Sequence, residues 1–220
     1  MAESASLARS NMIETQIRAN DVTDPRIHAA LDAVARERFV PGPARALAYA
    51  DVPVAVAQGR FLLDPRSFAK ALQLARVTAT DKVLDVGCAT GYSAAVLARL
   101  AARVVALEQD ADLVRIASDT LVDAGQVVLT QGALIEGFKG EAPYDVIFVN
   151  GAIDAGATDL LADLLAQLAE GGRLVVFLQS GAQGRATLYR KENGQVGARG
   201  DFDATVPLLA GFKKRLGFVF

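Results

Sequence analysis

Residues Lys82–Leu97 read KVLDVGCATGYSAAVL. An apolar run ends in Asp85-Val86-Gly87, turns through Cys88-Ala89-Thr90-Gly91, and gives way to helical periodicity. Glycines at such a turn let main chain approach a ligand at the carboxyl edge of a strand, where doubly wound α/β folds hold their ligands. A second apolar run, Val104–Leu107, ends in Glu108, 21 positions after Gly87 and just before Gln109. A carboxylate there suits hydrogen bonds from both hydroxyls of a ribose. Later runs end in Gln131-Gly132 and in Asn150-Gly151, which would stand at the mouth of the same cleft.

Two ligand classes compete for this turn. A dinucleotide fingerprint reads G-x-G-x-x-G, so that pyrophosphate sits against the helix N-terminus. Here the spacing is Gly87-x-x-x-Gly91, with Ala89 in the middle position. Asp85 lies two residues before the first glycine, where it would repel a pyrophosphate by about 1 kcal/mol or more. The same carboxylate suits an ammonium group. S-adenosylmethionine presents an amino acid moiety and a sulfonium and carries no phosphate, so Asp85 favours it. Glu108 supports a nucleoside in either case.

The rest of the composition excludes much other chemistry. The 220 residues hold one histidine, His28, one cysteine, Cys88, and no tryptophan. One thiol forms no internal disulfide, and one Cys with one His makes no four-ligand zinc site, so no metal is expected. A hydrolase triad would have to use His28, which sits among polar neighbours in a helical stretch, and Cys88 reads as a small packing residue. Lys and Arg number 23 against 25 Asp and Glu, interspersed without a basic stripe, for a formal charge of -2. Nucleic acid is therefore not an expected partner. The start MAESASLARSN has no signal-peptide core, and no run reaches the roughly 18–20 apolar residues of a membrane span. The expected location is the cytoplasm, as a monomer or small homo-oligomer.

The elements that must position these residues divide near residue 80. Residues 1–80 read as a helical extension and arm. Met12, Ile13 and Ile17, then Ile27, Leu31 and Val34, recur at helical steps, and Asp24-Pro25 is a helix start. The stretch from Phe39 to Pro65 holds four of the seven prolines and reads as an ordered, mostly irregular arm. A helix is predicted at about Ser67–Leu74. Residues 81–220 read as one compact core. Apolar runs at 83–86, 104–107, 127–129, 146–149 and 174–178 alternate with helical stretches at 92–99, 111–121 and 158–168. That alternation predicts an α/β fold with a mostly parallel, twisted, Rossmann-like sheet and helices on both faces. Gly171-Gly172 reads as a helix stop. The tail from Ala186 to Phe220 has strand-like pieces and no helix between them, so antiparallel strands should finish the sheet.

With these segments in view, the chain resembles the protein-L-isoaspartate O-methyltransferase family, of the class I S-adenosylmethionine-dependent methyltransferase fold. The segments MIETQIRANDVTDPRIHAALDAVARERFVP, LAYADVPVAV, VLDVGCATGYSAAVLA, YDVIFVNGAI, LAEGGRLVVFL and FDATVPLL carry the resemblance over nearly the whole chain. It implies methylation of the carboxylate of isoaspartyl residues in damaged protein or peptide, with S-adenosylhomocysteine as the product. Asp85, Gly87, Cys88, Ala89 and Gly91 would line the methionine end of the cofactor, with Asn150 at the mouth. Glu108 and Gln109 would hold the ribose, and Gln131 with Gly132 would sit beside the adenine.

The resemblance departs at the substrate loop. Family members usually carry G-x-G-Q-T-I-S-Q-P over the reacting centre, whereas this chain reads Ala57-Gln58-Gly59-Arg60-Phe61-Leu62-Leu63-Asp64-Pro65. Phe61 and Leu63 stand where hydroxyl side chains are expected, and neither donates a hydrogen bond. No confident catalytic residue follows. The substrate-binding set is Arg60, Phe61, Leu63, Asp64 and Arg66, with Arg60 or Arg66 as a carboxylate clamp. Gln131 also replaces a usual acid, although its side-chain oxygen still accepts a bond from an adenine amino group. Two alternatives remain. One is a chain that keeps the fold, with or without the cofactor, but serves binding or another acceptor. The other, a base-amino methylator, lacks its stacking motif, because the fourth strand is followed by Asn150-Gly151-Ala152-Ile153.

Overall fold

Successive residues of a strand point to opposite faces, so strands apolar on both faces belong inside a covered sheet. The computed structural model, which describes residues 2–212, places them there. Strands β3 (Lys82–Val86), β4 (Arg103–Glu108), β5 (Val127–Gln131), β6 (Tyr144–Asp154) and β7 (Leu168–Ser180) are joined by β8 (Gln183–Glu192) and β9 (Gln195–Asp203). Their spatial order is β5-β4-β3-β6-β7-β8-β9. The first five pair in parallel. The last two pair antiparallel, as the tail's pattern predicts. Residues 213–220 of that tail lie outside the described residues.

The two faces are buried differently. Val83, Val104, Ala106, Phe148 and Phe177 join one cluster with the helices α2 (Pro25–Ala33), α3 (Pro65–Ala75), α4 (Tyr92–Leu97) and α5 (Ala111–Thr120). Leu84, Val86, Val105, Leu107 and Ile147 join the other, with the short α6 (Ala162–Ala166), Leu134, and Leu209 and Phe212 of the chain's last described turn. At the N-terminal side, α1 (Ala2–Met12) runs into a wider turn over Ile13–Ile17. Asp24 caps α2 by accepting the Arg26 N–H, with Pro25 in the first turn.

Two elements differ from the sequence expectation. The helix expected at 158–168 is a 3-10 turn over Ala155–Leu161 followed by α6, and Leu168 already pairs with Tyr144. Ala157, just before the expected start, leaves helical geometry at φ −122° and ψ 28°. Gly171-Gly172 is accordingly not a helix stop. Gly171 sits at φ +75°, where a side chain is strained, and the pair forms an irregularity within β7. The other difference lies in the arm. Val54–Ala57 (β1) and Arg60–Leu62 (β2) form a separate antiparallel hairpin.

Among the described residues, no helix is long and apolar enough to cross a membrane, and no group of three His, Cys, Asp or Glu is placed to hold a metal ion.

Candidate functional site

Parallel pairing brings the chemistry together. Asp85 of β3 lies in register with Ala106, so the ends of β3 and β4 carry Asp85 and Glu108 to the same edge. Glu108 in turn pairs with Gln131 of β5. Asn150 reaches the same edge from β6.

Both carboxylates are fully buried. The Ser93 hydroxyl donates to Asp85 Oδ2 at 2.7 Å, and Asn150 Nδ2 donates to Oδ1 at 2.6 Å. Burial pushes the Asp85 carboxyl up to about 7, against the lowering pull of these two bonds; Glu108 adds a smaller rise. Ser93 was not among the residues read as functional. Its signal was available: a hydroxyl in the first turn of the helix that follows the glycine loop. Burial also raises the Cys88 thiol well above its ordinary range, so this side chain packs rather than reacts.

Glu108 accepts five donor groups, four of them on Oε1. Its Oε2 accepts the Ala89 N–H at 3.0 Å. Its Oε1 accepts the Gln109 and Asp110 N–H groups at 2.8 and 3.1 Å. The same oxygen accepts Arg60 Nε at 3.2 Å and Nη2 at 3.1 Å. Arg60, on β2, is itself 4% exposed. The structure therefore pairs Arg60, read above as a carboxylate clamp, with Glu108.

The remaining loop residues go to different places. Phe61 is half-buried against Gly87, Cys88, Ala89 and Asn150 around a space of about 10 Å3. Leu63 is buried in the core, and its carbonyl accepts Arg36 Nη2 at 2.6 Å. Asp64 caps α3 by accepting the Ser67 N–H at 2.8 Å. Arg66, half-buried, lines a cleft of about 780 Å3 with Ser180, Arg185, Thr187 and Thr205. Gln109 and Gln131 are exposed, joined by a 3.5 Å contact from Gln131 Nε2 to the Gln109 carbonyl, and Gly132 N–H donates to the Glu108 carbonyl. His28 lies apart from this edge, with Nε2 2.8 Å from the Val22 carbonyl.

The last described segment covers the same edge from the other side. Leu209 N–H donates to the Ala152 carbonyl at 2.7 Å. At Gly87, φ +76°, an added Cβ would stand 3.1 Å from the Leu209 side chain. Nothing local in the sequence pointed to Leu209, because its contacts form across the whole core.

The model of the Protein-L-isoaspartate(D-aspartate) O-methyltransferase family matches residues 7–208. The chain belongs to this family. A protein-L-isoaspartate O-methyltransferase of Koribacter versatilis is 36% identical over 192 residues, 86% of this chain and 85% of the relative. One of Protochlamydia amoebophila is 39% identical over 75% of this chain and 78% of its own length. A solved protein-L-isoaspartate O-methyltransferase superposes with a TM-score of 0.78 over 93% of this chain and 67% of that one, at 22% identity. A Plasmodium falciparum protein described under the same name, solved with S-adenosyl-L-homocysteine, gives 0.75 at 20% identity, over 92% of this chain and 98% of that one. The fold is thus the class I methyltransferase fold, a mostly parallel sheet with antiparallel C-terminal strands.

For a family member, S-adenosylmethionine is the group to test against these residues. The donor chemistry fits: a buried carboxylate, Asp85, for an ammonium, and a second, Glu108, ringed by main-chain N–H groups at the next strand end, for ribose hydroxyls.

Proposed function

We propose that the chain is an S-adenosylmethionine-dependent O-methyltransferase that acts on the carboxylate of isoaspartyl residues in protein or peptide. The observation that carries this reading is the pair of buried carboxylates, Asp85 and Glu108, at the ends of adjacent parallel strands. Family membership over residues 7–208 supports it. When bound, S-adenosylmethionine supplies the electrophilic methyl group. Asp85, held by Ser93 and Asn150, would receive the ammonium of the methionine end along the Gly87–Gly91 turn, with Cys88 and Ala89 as packing. Glu108 and Gln109 would hold the ribose, and Gln131 and Gly132 would flank the adenine.

The acceptor carboxylate has an unperturbed pKa of about 4 and is ionised at neutral pH, so no general base is needed. The protein's work is alignment of oxygen and methyl with water excluded. Arg66, which lines a cleft of about 780 Å3 together with Arg185, would serve as the guanidinium that clamps that carboxylate. Nucleic acid has no part in this reading.

The test is incubation of the full chain with an isoaspartyl peptide and methyl-labelled cofactor. Formation of a base-labile methyl ester is expected, and no incorporation across a panel of carboxylate peptides would overturn the reading. Phe61→Thr is expected to raise kcat/KM for the peptide by about tenfold, since it enlarges the space beside Asn150 and adds one oriented donor, worth roughly 1–3 kcal/mol. A second reading, a module that binds the cofactor without transferring its methyl, is favoured by the apolar Phe61 over the reacting centre. Tight cofactor binding with no acceptor in the same assay would select it.

A further inference from the structure

Arg60 takes no part in the reaction as described above, yet it is a buried charged side chain at the site. Its guanidinium is 4% exposed and meets a carboxylate that is not exposed at all. Glu108 Oε1 already accepts two main-chain N–H groups besides Arg60, and Oε2 accepts a third. Oε1, with four donors on it, has no room for a ribose hydroxyl unless a resident donor leaves, and Oε2 has room for one. The main-chain donors are fixed by the strand end, so the displaceable one is Arg60.

The way Arg60 is mounted fits displacement. β2 pairs only with β1, in a two-stranded sheet separate from the seven-stranded one. The hairpin turns at Gln58-Gly59, both exposed, with Gly59 at φ +69°. Moving such a hairpin breaks no bond of the main sheet. The space beneath Phe61, beside Gly87, Cys88 and Asn150, is about 10 Å3, at most that of one water, so the hairpin also closes over the turn that leads to Glu108. Arg60 regains hydration as it leaves, and Glu108 keeps its three N–H partners.

We propose that Arg60 is a built-in counter-ion that competes with the cofactor's ribose for Glu108, so that the β1–β2 hairpin must release Glu108 before S-adenosylmethionine or its product binds. The proposal rests on the nucleoside reading of Glu108. Its consequence is that measured affinity is the intrinsic affinity reduced by the fraction of molecules in which Arg60 has let go.

Calorimetric titration of the full chain with S-adenosylhomocysteine tests this. Arg60→Gln, which removes the cation and retains a polar side chain, is expected to bind about tenfold more tightly or better than the natural chain. Should that variant not fold, judged by circular dichroism, Arg60→Lys keeps the charge, loses the fork, and is expected to tighten binding by a smaller factor. In the natural chain, hydrogen exchange at the main-chain amides of 58–62 is expected to speed up when the site is saturated. Equal or weaker binding by the variants, or exchange at 58–62 that is unchanged or slowed, would overturn the competition alone. Absence of binding by every form would overturn the nucleoside reading and the proposal with it.

Discussion

Asp85→Asn is expected to make the free protein more stable above pH 7 and to abolish its affinity for the cofactor. The carboxyl lies at about 7 in the folded chain against an ordinary 3.8, chiefly because burial disfavours its charged form. The folded state therefore binds one proton more than the unfolded state between about pH 4 and pH 7, and stability falls as pH rises through that window. The contribution of the protonated carboxyl is fully present below pH 4 and gone above pH 7. The loss is on the order of 4 kcal/mol, from about three units at 1.36 kcal/mol each. Asparagine does not titrate. Urea midpoints for the two chains should nearly coincide at pH 4 and separate progressively up to pH 7, with the variant higher. If the hydrogen bonds from Ser93 and Asn150 outweigh burial, the order reverses and the assignment fails.

The same titration has a functional counterpart. An ammonium ligand binds the ionised carboxylate, so cofactor affinity should rise with pH, about tenfold per unit below pH 7, and turn down again above about pH 8 as the ligand's own α-amino group loses its proton. Calorimetry at three pH values measures this. Asp85→Asn should flatten the profile at low affinity. The chain thus carries a charge that weakens its free fold at the place where a cation is to be received.

Arg36→Ala is expected to have the largest effect on stability outside the site, a loss of about 2–4 kcal/mol, the two donated bonds and the packing being offset in part by removal of a buried Nη1 that has no hydrogen-bond partner. Arg36 is fully buried. Nε donates to the Ala48 carbonyl and Nη2 to the Leu63 carbonyl, both at 2.6 Å, and the guanidinium carbon stands 4.6 Å from the Tyr92 ring centre. Removal leaves a cavity and two carbonyls without these donors, each worth about 1–3 kcal/mol. Thermal unfolding should drop by about 10 °C, at about 2–4 °C per kcal/mol for a chain of this length. Arg36→Met refills the volume without the donors and should recover only the packing share. An unchanged melting temperature for the alanine variant would refute the role. Because Leu63 directly follows β2, loss of this anchor should also loosen the hairpin that carries Arg60.

Much of the site was legible because it is local. Asp85 and the glycines lie within one strand and turn, and Glu108 ends the next strand, so apolar periodicity and glycine spacing place them without long-range knowledge. The parallel core and the cap at Asp24-Pro25 follow from the same short-range rules. The hairpin β1–β2 was not legible. Its strands are four and three residues long, too short for alternation to distinguish them from an irregular arm. The helix expected at 158–168 is helical as far as Ala166 but partly in 3-10 form, and its end was misjudged because Leu168 pairs with Tyr144 at the start of β7.

The sequence alone determined the kind of ligand, since residue types at a strand edge set which charges a small molecule must carry. The tertiary structure decided where Arg60 is held. By type it suited a substrate clamp, whereas its partner in the fold lies 48 positions away and only the folded sheet brings it within 3.1 Å. A buried guanidinium must satisfy its charge where it is placed, and placement is a property of the packed core, not of neighbours in the chain.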